Sequence, residues 1–327
     1  MENELYDFTI IGGGPTGLFG AFYAGLRQMK TKIIDSLPQL GGQLSALYPE
    51  KYIYDVAGFR KVLAKDLVSE LSEQALQNNP TVCLEEKCIT LEHIDGEIVI
   101  TTNKATHRTK TVLIAGGVGA FAPRRLELPG ITELEGKGVH YFVTDTERFR
   151  GRRIVIVGGG DSAFDWSLAL GEIAASCIQI HRSATFRAHE DTVSKVQDGG
   201  NVDIRTFHEL RGVHGTDCLE AVTVVDTQSG HETQLVCDDV ILTLGFLSNL
   251  GPIKEWGLAL QKNQIVVNAH METNLPGVFA AGDICTYDGK LKLIVTGVAE
   301  AATAANFAKT TIDPTAKAFP GHSSDMK

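Results

Sequence analysis

The sequence predicts an α/β protein with two Rossmann-like, three-layer ββα dinucleotide-binding domains, one of them inserted in the other. Three observations predict this fold: a glycine-rich turn at residues 12–17, a second turn of the same form at residues 158–163, and a late apolar strand that ends at Gly282-Asp283. The length of 327 residues also suits two domains, since a domain typically has roughly 150 residues.

The first element is an apolar strand at residues 8–11, which is followed by the glycine-rich turn and a helical segment at residues 18–28. In a turn of this form Gly12 makes the bend, Gly14 lets the backbone touch a pyrophosphate, and Gly17 allows the helix to pack closely. The spacing therefore predicts a βαβ unit that binds the pyrophosphate of a dinucleotide.

A second strand at residues 31–34 completes this unit and ends at Asp35. A carboxylate at this position accepts hydrogen bonds from a ribose diol and repels a 2′-phosphate. The first site should therefore hold a dinucleotide whose ribose diol is free.

The pattern is repeated from residue 153, with a strand, a glycine-rich turn, a helical segment and a second strand that ends at residue 180. The turn residues expected to approach a second dinucleotide are Gly158, Gly160, Asp161 and Ser162. The second strand leads to Arg182, with Arg187 five residues further on and no acidic residue at this place. Because guanidinium groups bind phosphate, the second site should hold NADP(H). The alternative is that both arginines are solvated surface charges.

The strand that ends at Gly282-Asp283 comes after the second βαβ unit and precedes a helical segment at residues 297–308. This element would bring another carboxylate and a helix N-terminus to a bound cofactor. The first domain is therefore expected to be discontinuous, with linkers at residues 116–123 and 245–250. The expected domains are residues 1–118 with 246–327, and residues 119–245.

Composition excludes several classes of protein. Thirty basic against forty acidic side chains give a net charge of −10, which disfavours nucleic-acid binding. No apolar stretch approaches the ~20 residues of a membrane span, and no export signal is recognised at the start. We therefore expect a cytoplasmic protein that does not associate with a membrane. Six scattered cysteines without a C-x-x-C pair argue against a metal site or a redox dithiol.

Together these motifs resemble the two-dinucleotide flavoproteins of the thioredoxin reductase family over essentially the whole chain. The resemblance implies FAD in the first domain, NADPH in the inserted domain, and a Gly-Asp pair that holds the flavin ribityl chain. One departure is decisive, because thioredoxin reductases carry a C-x-x-C shortly before the second glycine turn and residues 139–145 here contain no cysteine. Without two thiols the chain cannot reduce a disulfide by thiol exchange.

The branch without the dithiol that the chain resembles is the thioredoxin-reductase-like ferredoxin–NADP reductases of bacteria. The resemblance rests on four segments: residues 41–44, residues 47–55, His140-Tyr141-Phe142-Val143, and the tail at residues 319–324. It departs from that branch at Asp35, where Glu is usual, and at Ser183, where a second Arg is common.

This resemblance implies two sets of site residues. Non-covalently bound FAD would be contacted by Gly12, Gly14, Thr16, Gly17, Asp35, Gln43, Tyr48, Cys88, Phe121, Asp283 and Ser324. NADPH would be contacted by Gly158, Gly160, Asp161, Ser162, Arg182 and Arg187. Tyr48 would stack on one face of the flavin and His322 on the other, so that the tail has to move aside for hydride transfer.

The implied activity is electron transfer from NADPH to ferredoxin or flavodoxin by a homodimeric enzyme. NADPH gives up a hydride and an iron–sulfur protein accepts single electrons, whereas a flavin can do both. Two alternatives are an NADPH-dependent reductase of a small disulfide or quinone, and a non-catalytic NADPH-sensing flavoprotein. Because these carriers are generally acidic and the chain is also acidic, docking needs a local basic surface. Residues 121–153, with seven basic and five acidic side chains, form a weak candidate.

Overall fold

The computed structural model describes residues 4–117, 119, 122–143, 145–247, 249–319 and 321. It divides into two compact units, one of Met1–Phe121 with Ser248–Lys327 and the other of Ala122–Leu247. We call them unit 1 and unit 2. The divisions after residues 121 and 247 lie three and two residues beyond the expected ones, after 118 and 245.

The elements follow the chain in three groups. The first segment of unit 1 contains β1 (Leu5–Ile11), α1 (Pro15–Leu26), β2 (Thr31–Ile34), α2 (Gln43–Leu47), β3 (Tyr52–Ile53), β4 (Val62–Leu63), α3 (Ala64–Leu76), β5 (Thr81–Cys83), β6 (Cys88–Ile94), β7 (Glu97–Thr102) and β8 (Thr106–Ile114). Unit 2 contains β9 (Ala122–Pro123), β10 (Val139–His140), β11 (Arg153–Val157), α4 (Asp161–Gly171), β12 (Ser176–His181), α5 (Glu190–Gly199), β13 (Val202–Thr206), β14 (His208–His214), β15 (Ala221–Asp226), β16 (Glu232–Val236), β17 (Asp239–Leu242) and β18 (Phe246–Leu247). The second segment of unit 1 contains β19 (Leu260–Gln261), β20 (Gln264–Val266), β21 (Val278–Ala280), β22 (Cys285–Thr286) and α6 (Ile294–Ile312).

Unit 1 is built on a parallel sheet in which β2 and β8 flank β1 and β5 forms one edge. The second half of β8 pairs in parallel with β21, while its first half pairs antiparallel with β7. Strands β1 and β2 are rich in β-branched residues and buried on both faces, as parallel strands between two layers usually are. Helix α1 packs against α3 and α6, and beyond β8 the same seven-stranded sheet continues with the antiparallel strands β7 and β6.

Unit 2 is also built on a parallel sheet, with the strand order β10-β17-β11-β12-β13. Helix α4 packs against β11 and β12, and a separate antiparallel sheet is formed by β14, β15 and β16. Val155, Ile180 and Val240 from three neighbouring strands are almost fully buried in its core. Among the helices in the described part of the chain, none is long and apolar enough to cross a bilayer.

Helices α1 and α4 begin three residues earlier than the apolar periodicity predicts, at Pro15 and Asp161 instead of Leu18 and Phe164. Proline suits the first position of a helix because its missing N–H is not needed there. The early starts place Thr16, Gly17 and Ser162 in the first turns, where backbone N–H groups have no partner within the helix. Both glycine turns therefore lead directly into helix N-termini that can face an anion.

Candidate functional site

The glycine turn of unit 1 brings β1 and α1 into close backbone contact. Gly12 has a φ of +111°, and a Cβ atom there would overlap the carbonyl oxygen of Ala115 at the end of β8. A Cβ atom on Gly17 would overlap the carbonyl oxygen of Gly12. Both positions therefore require glycine, as the sequence pattern predicts.

A pair of glycines, Gly41-Gly42, lies against the glycine turn of residues 12–17. The N–H of Gly41 donates to the carbonyl of Gly13 at 2.8 Å, and a Cβ on Gly42 would lie 2.9 Å from the Cα of Gly14. Gln43 follows as the first residue of α2, with its Nε2 atom 3.0 Å from the position of a Cβ on Gly117. This turn therefore places the Gln43 amide at the glycine loops that follow β1 and β8.

Asp35 lies at the end of β2 and is 7% exposed. Its carboxylate accepts hydrogen bonds from the N–H of Gly13 at 2.5 Å and from the N–H of Leu37 at 2.8 Å. Burial raises the pKa of Asp35, although these backbone donors act in the opposite direction. The carboxylate therefore borders the first glycine turn.

Behind Asp35 lies a buried polar group of side chains that the sequence analysis missed: Lys32, Glu86, Thr102 and His107, which we call the Glu86 network. The Lys32 ammonium is 2.8 Å from Nδ1 of His107, and Nε2 of the same ring is 2.6 Å from the Glu86 carboxylate. Thr102 also donates to Glu86 at 2.6 Å. Because an ammonium can only donate, Nδ1 accepts, and the ring proton lies on Nε2 and points to Glu86.

The charges of this network are matched. Burial lowers the pKa of Lys32, and burial acts to raise the pKa of Glu86, but the hydrogen bonds from Thr102 and His107 hold it below its usual value. The Sγ atom of Cys83 lies with the ligand atoms of Glu86 and His107 in a group within 4.8 Å of one another, which could hold a metal ion. We assign no metal there, because the Lys32 ammonium already compensates the carboxylate and bonds the imidazole.

The backbone connects the Glu86 network to Asp35. The N–H of Asp35 donates to the carbonyl of Cys83, and the N–H of Glu86 donates to the carbonyl of Asp35, both at 2.8 Å. Cys88 begins the next strand and is buried, and burial raises the pKa of its thiol to about 12. Cys88 is therefore a neutral thiol, and any part that it plays in a site is one of packing or of its backbone.

The second segment of unit 1 contacts the start of α1 at Thr16. Gly282 has a φ of +81°, and a Cβ on it would lie 2.9 Å from Oγ1 of Thr16. A Cβ on Gly297 in the first turns of α6 would overlap the same oxygen. The starts of α1 and α6 and the Gly282 turn therefore meet at Thr16.

The charge of Asp283 acts on Tyr48 at this place. Burial raises the pKa of Asp283, opposed by the charges of Lys292 and Lys290. Burial and then the negative charges of Asp283 and Asp55 raise the pKa of Tyr48 to about 12. Tyr48, which ends α2, is therefore a neutral phenol in the same part of unit 1 as the Gly282 turn.

The Gly282 turn is fixed by Glu300, another residue that the sequence analysis missed. Its carboxylate accepts a hydrogen bond from the N–H of Gly282 at 2.8 Å and one from the hydroxyl of Tyr287 at 2.7 Å. It also forms an ion pair with Lys290, and the two side chains are 4% and 5% exposed. A buried charge pair of this kind holds the loop between β21 and α6 in one position.

In unit 2 the second glycine turn has the corresponding features. Gly158 has a φ of +153°, and a Cβ there would overlap the hydroxyl of Thr243. Gly160 caps α4, whose first residues are Asp161 and Ser162. The Asp161 carboxylate accepts a hydrogen bond from the N–H of His189 at 3.0 Å.

Arg182 and Arg187 lie beside this turn. The N–H of Arg187 donates to the carbonyl of Gly159 at 2.8 Å, and a Cβ on Gly159 would lie 2.5 Å from the His181 ring. Burial and then the charges of Arg182 and Arg187 lower the pKa of His181, although a hydrogen bond with the Thr185 carbonyl acts to raise it. The N-terminus of α4 and two exposed guanidinium groups thus make one positive region.

Three expected site residues, Phe121, His322 and Ser324, lie outside the described residues. At the place where thioredoxin reductases carry their dithiol, the structure instead has His140, whose Nε2 is 2.7 Å from the Asp239 carboxylate. Arg152 forms an ion pair with the other oxygen of the same carboxylate.

The family model for pyridine nucleotide-disulphide oxidoreductases matches residues 6–303 of this chain. The chain belongs to the pyridine nucleotide-disulphide oxidoreductase family. It is 54% identical to ferredoxin–NADP reductase 2 of Shouchella clausii over 327 residues, with 99% of each chain covered. It is 55% identical to ferredoxin–NADP reductase 2 of Bacillus cytotoxicus over the same length, again with 99% of each covered.

Among solved structures the chain is similar to thioredoxin reductase of Lactococcus lactis, with a TM-score of 0.83 and 26% identity over 94% of this chain and 99% of that one. The predicted α/β fold with two Rossmann-like domains and the resemblance to ferredoxin–NADP reductases are both confirmed. As a member of the pyridine nucleotide-disulphide oxidoreductase family the protein is an oxidoreductase that uses a flavin and NAD(P)H.

Proposed function

We propose that the protein is an FAD-dependent reductase that transfers electrons between NADPH and ferredoxin, with flavodoxin as a related acceptor. The observation that carries this proposal is the contrast between two similar glycine turns. The turn of unit 1 is bordered by the carboxylate of Asp35, whereas the turn of unit 2 is bordered by Arg182 and Arg187. Relatives with 54% and 55% identity over the whole chain carry the name ferredoxin–NADP reductase.

Unit 1 fits FAD. Glycines at positions 12, 17 and 42 allow backbone segments to approach one another closely at this turn, and the N-terminus of α1 supplies unpaired N–H groups for the pyrophosphate. The residues that contact FAD would also include Gly14 and Thr16 at that helix start and Asp35 at the ribose. At the flavin end they would be Gln43, Tyr48 and Asp283. Cys88 would line the adenosine end with its backbone, and the roles of Phe121, Ser324 and His322 stay predictions.

Unit 2 fits NADPH. Gly158 and Gly160 allow a pyrophosphate to approach the N-terminus of α4, where Asp161 and Ser162 stand. Arg182 and Arg187 supply positive charge for the 2′-phosphate that distinguishes NADPH from NADH. Because Ser183 stands in place of a second adjacent arginine, only these two guanidinium groups would select NADPH over NADH.

The bound flavin supplies the ability to exchange a hydride on one side of the reaction and single electrons on the other. The chain binds and orients it: the helix N-termini of α1 and α6 and the Gly282 turn converge at Thr16. Tyr48 is neutral, because its pKa is raised to about 12, and it offers an aromatic face for stacking. None of these tasks requires a cysteine pair.

A disulfide reductase is disfavoured by five of the six cysteines that the structure describes, the exception being the exposed Cys218. Burial raises the pKa values of Cys83, Cys88, Cys177, Cys237 and Cys285, which makes each a poor nucleophile. All six cysteines are free thiols, which supports a reducing compartment, and we propose the cytoplasm.

We also propose that the enzyme is a homodimer. Unit 1 has an apolar groove between α1, α3 and the start of α6, lined by residues that include Phe19, Leu71 and Val298. Apolar surface of this kind commonly becomes buried when two subunits associate. Sedimentation at micromolar concentration would give the mass of two chains, and the mass of one chain would refute the dimer.

The function is tested by mixing the purified, flavin-loaded protein with NADPH in a stopped-flow instrument and then with separate acceptors. We expect fast reduction of ferredoxin or flavodoxin, and slow reduction of low-molecular-weight disulfides and quinones. Protein without flavin, or a disulfide reduced faster than either carrier, would contradict the proposal. A flavin that NADPH does not reduce at all would favour the sensing alternative.

The choice of NADPH over NADH should depend on the two arginines. Because a hydrogen bond to a charged group contributes about 1.5–3 kcal/mol, the double variant Arg182→Ala with Arg187→Ala should raise the KM for NADPH roughly 100-fold. The KM for NADH should stay within about twofold, since that nucleotide has no 2′-phosphate. Arg211→Ala, an exposed arginine on β14 of the same unit, serves as the control. Equal losses with both nucleotides would remove the arginines from the specificity role.

A further inference from the structure

Exposed aromatic side chains are concentrated at one place in unit 1. In the described part of the chain four large aromatic residues are exposed, and three of them, Tyr52, Tyr54 and Phe59, belong to the hairpin of β3 and β4. Their exposed fractions are 40%, 51% and 45%. Exposed aromatic groups this close together are unusual on a surface that only meets water, and aromatic residues are enriched in protein interfaces.

The same hairpin carries exposed positive charge. Arg60 and Lys61 follow Phe59 directly, and the ammonium of Lys61 lies 4.5 Å from the ring centre of Tyr52. Phe59 also lines the apolar groove proposed above as the dimer interface, so we call Tyr52, Tyr54, Arg60 and Lys61 the hairpin surface. Tyrosine and arginine are the residues that most often dominate binding energy in interfaces. The exposed carboxylate of Asp55 lies in the same hairpin, so residues 52–63 have a net charge of +1. On a chain with a net charge of −10, even this local positive charge favours an acidic partner.

The basic segment suggested by the sequence, residues 121–153, is a weaker candidate. Four of its seven basic side chains form ion pairs within unit 2: Arg125 with Glu135, Arg150 with Glu147, Arg152 with Asp239 and Arg153 with Asp238. An arginine in such an ion pair attracts a distant acidic partner only weakly, because the neighbouring carboxylate compensates its charge.

The hairpin surface is also near the proposed flavin site. Strand β3 begins four residues after Tyr48, so the chain cannot separate the Cα atoms of Tyr48 and Tyr52 by more than about 14 Å. Two backbone hydrogen bonds fix this connection, from Lys51 to the carbonyl of Tyr48 at 3.0 Å and from Ala64 to the carbonyl of Lys51 at 2.9 Å. The hairpin therefore adjoins the segment of chain that carries Tyr48.

We propose that the hairpin surface is the docking site of an acidic, single-electron-carrying protein of the ferredoxin type. The proposal rests on the function proposed above, since it names where that acceptor binds. Tyr52 and Tyr54 would be covered by the partner, and Arg60 and Lys61 would meet its carboxylates. The short connection to Tyr48 would then give a short path from the flavin to the carrier.

The test uses the flavin-loaded full chain, a bacterial ferredoxin, and the double variant Arg60→Glu with Lys61→Glu. The matched control is Lys254→Glu with Lys262→Glu, which changes the net charge of unit 1 by the same amount at exposed positions away from the hairpin. Reversing two charges at an interface should raise the KM for ferredoxin roughly 10-fold or more, with a weaker salt dependence. The control should change it by less than about twofold, because its charges act only through the general field of the protein. Reduction of ferricyanide by NADPH should be unchanged in both.

A second variant, Tyr54→Ser, separates contact from charge, and we expect it to weaken ferredoxin binding without changing the salt dependence. Direct binding is measured by titration calorimetry, so that docking and turnover are read separately. A wild-type protein that binds ferredoxin but does not reduce it would contradict the proposed function and leave the docking site standing. Equal effects of the hairpin and control variants, no effect of either, or a dimer that dissociates in the hairpin variants would each overturn the docking site.

Discussion

Gly17→Ala should lower the affinity of the protein for FAD by about 100-fold, since a shift of about 1 Å in a positioned site can have an effect of that size. A Cβ at this position would overlap the carbonyl oxygen of Gly12, which is backbone and cannot turn away. The start of α1 must therefore move away from β1, and its N–H groups leave the place where the pyrophosphate belongs. Titration of the flavin-free protein with FAD measures the loss.

Gly20→Ala in the same helix is the matched control. Its Cβ would meet Cδ2 of Leu113 at 3.0 Å and the Cβ of Ala301 at 3.5 Å, both of them side-chain atoms. Both substitutions favour helix formation by about the same amount, up to ~1 kcal/mol, so helix propensity cannot explain a difference. If Gly17→Ala binds FAD as tightly as Gly20→Ala does, the close contact of β1 and α1 does not position the cofactor.

Glu300→Gln should destabilise the folded protein by about 3–5 kcal/mol, because it leaves the ammonium of Lys290 buried without its counter-charge. Gly282 and Tyr287 donate to different oxygens of the Glu300 carboxylate, so the one amide oxygen of Gln can keep only one of these hydrogen bonds. The Tyr287 hydroxyl can instead accept from the new NH2 group, so the loss is mainly one of charge. Lys290→Met with Glu300→Gln removes both charges and should be more stable than Glu300→Gln alone. Denaturation in urea, followed by circular dichroism, measures the change, and flavin release should occur at a lower urea concentration.

The exposed pair of Lys65 and Glu50 provides the comparison. Its side chains are 48% and 27% exposed, and Glu50→Gln should cost less than about 1 kcal/mol, as exposed ion pairs usually do. If the double variant is as unstable as the sum of the two single variants, Lys290 and Glu300 do not act as a pair. An unchanged stability of Glu300→Gln would show that water or another group replaces the lost charge.

The elements around both glycine turns could be predicted from the sequence because their signals are local. An apolar strand, glycines at fixed spacing and a strand that ends at Asp35 all lie within 30 residues of one another. The helix starts were predicted three residues late, since Pro15 and the glycines interrupt the apolar periodicity that marks a helix.

The Glu86 network and Glu300 could not be predicted, because their partners are set by the fold. His107 meets Lys32 across 75 residues, and the neighbours of Glu300 come from a loop whose path depends on β21 and α6. One signal was present in β8, where His107 and Thr109 occupy buried positions of a strand that alternates between faces. A polar residue at an inward position indicates a buried partner without saying which one.

Similarly, counting charges along residues 121–153 could not show that Arg152 and Arg153 are already paired, because Asp238 and Asp239 come about 85 residues later. The exposure of Tyr52, Tyr54 and Phe59 was equally hidden, since aromatic residues in an apolar stretch usually enter the core.

The meeting of three distant positions at Thr16 also bears on how the protein matures. Gly282 and Gly297 leave the ribosome more than 260 residues after Thr16, and β21 can join β8 only then. At roughly 5–20 residues per second, this delay is on the order of ten seconds or longer. Until then the first glycine turn of the nascent chain lacks its contacts with the Gly282 turn and the start of α6. Loading of the prosthetic group is therefore a late event in biogenesis, which follows synthesis of the entire inserted unit.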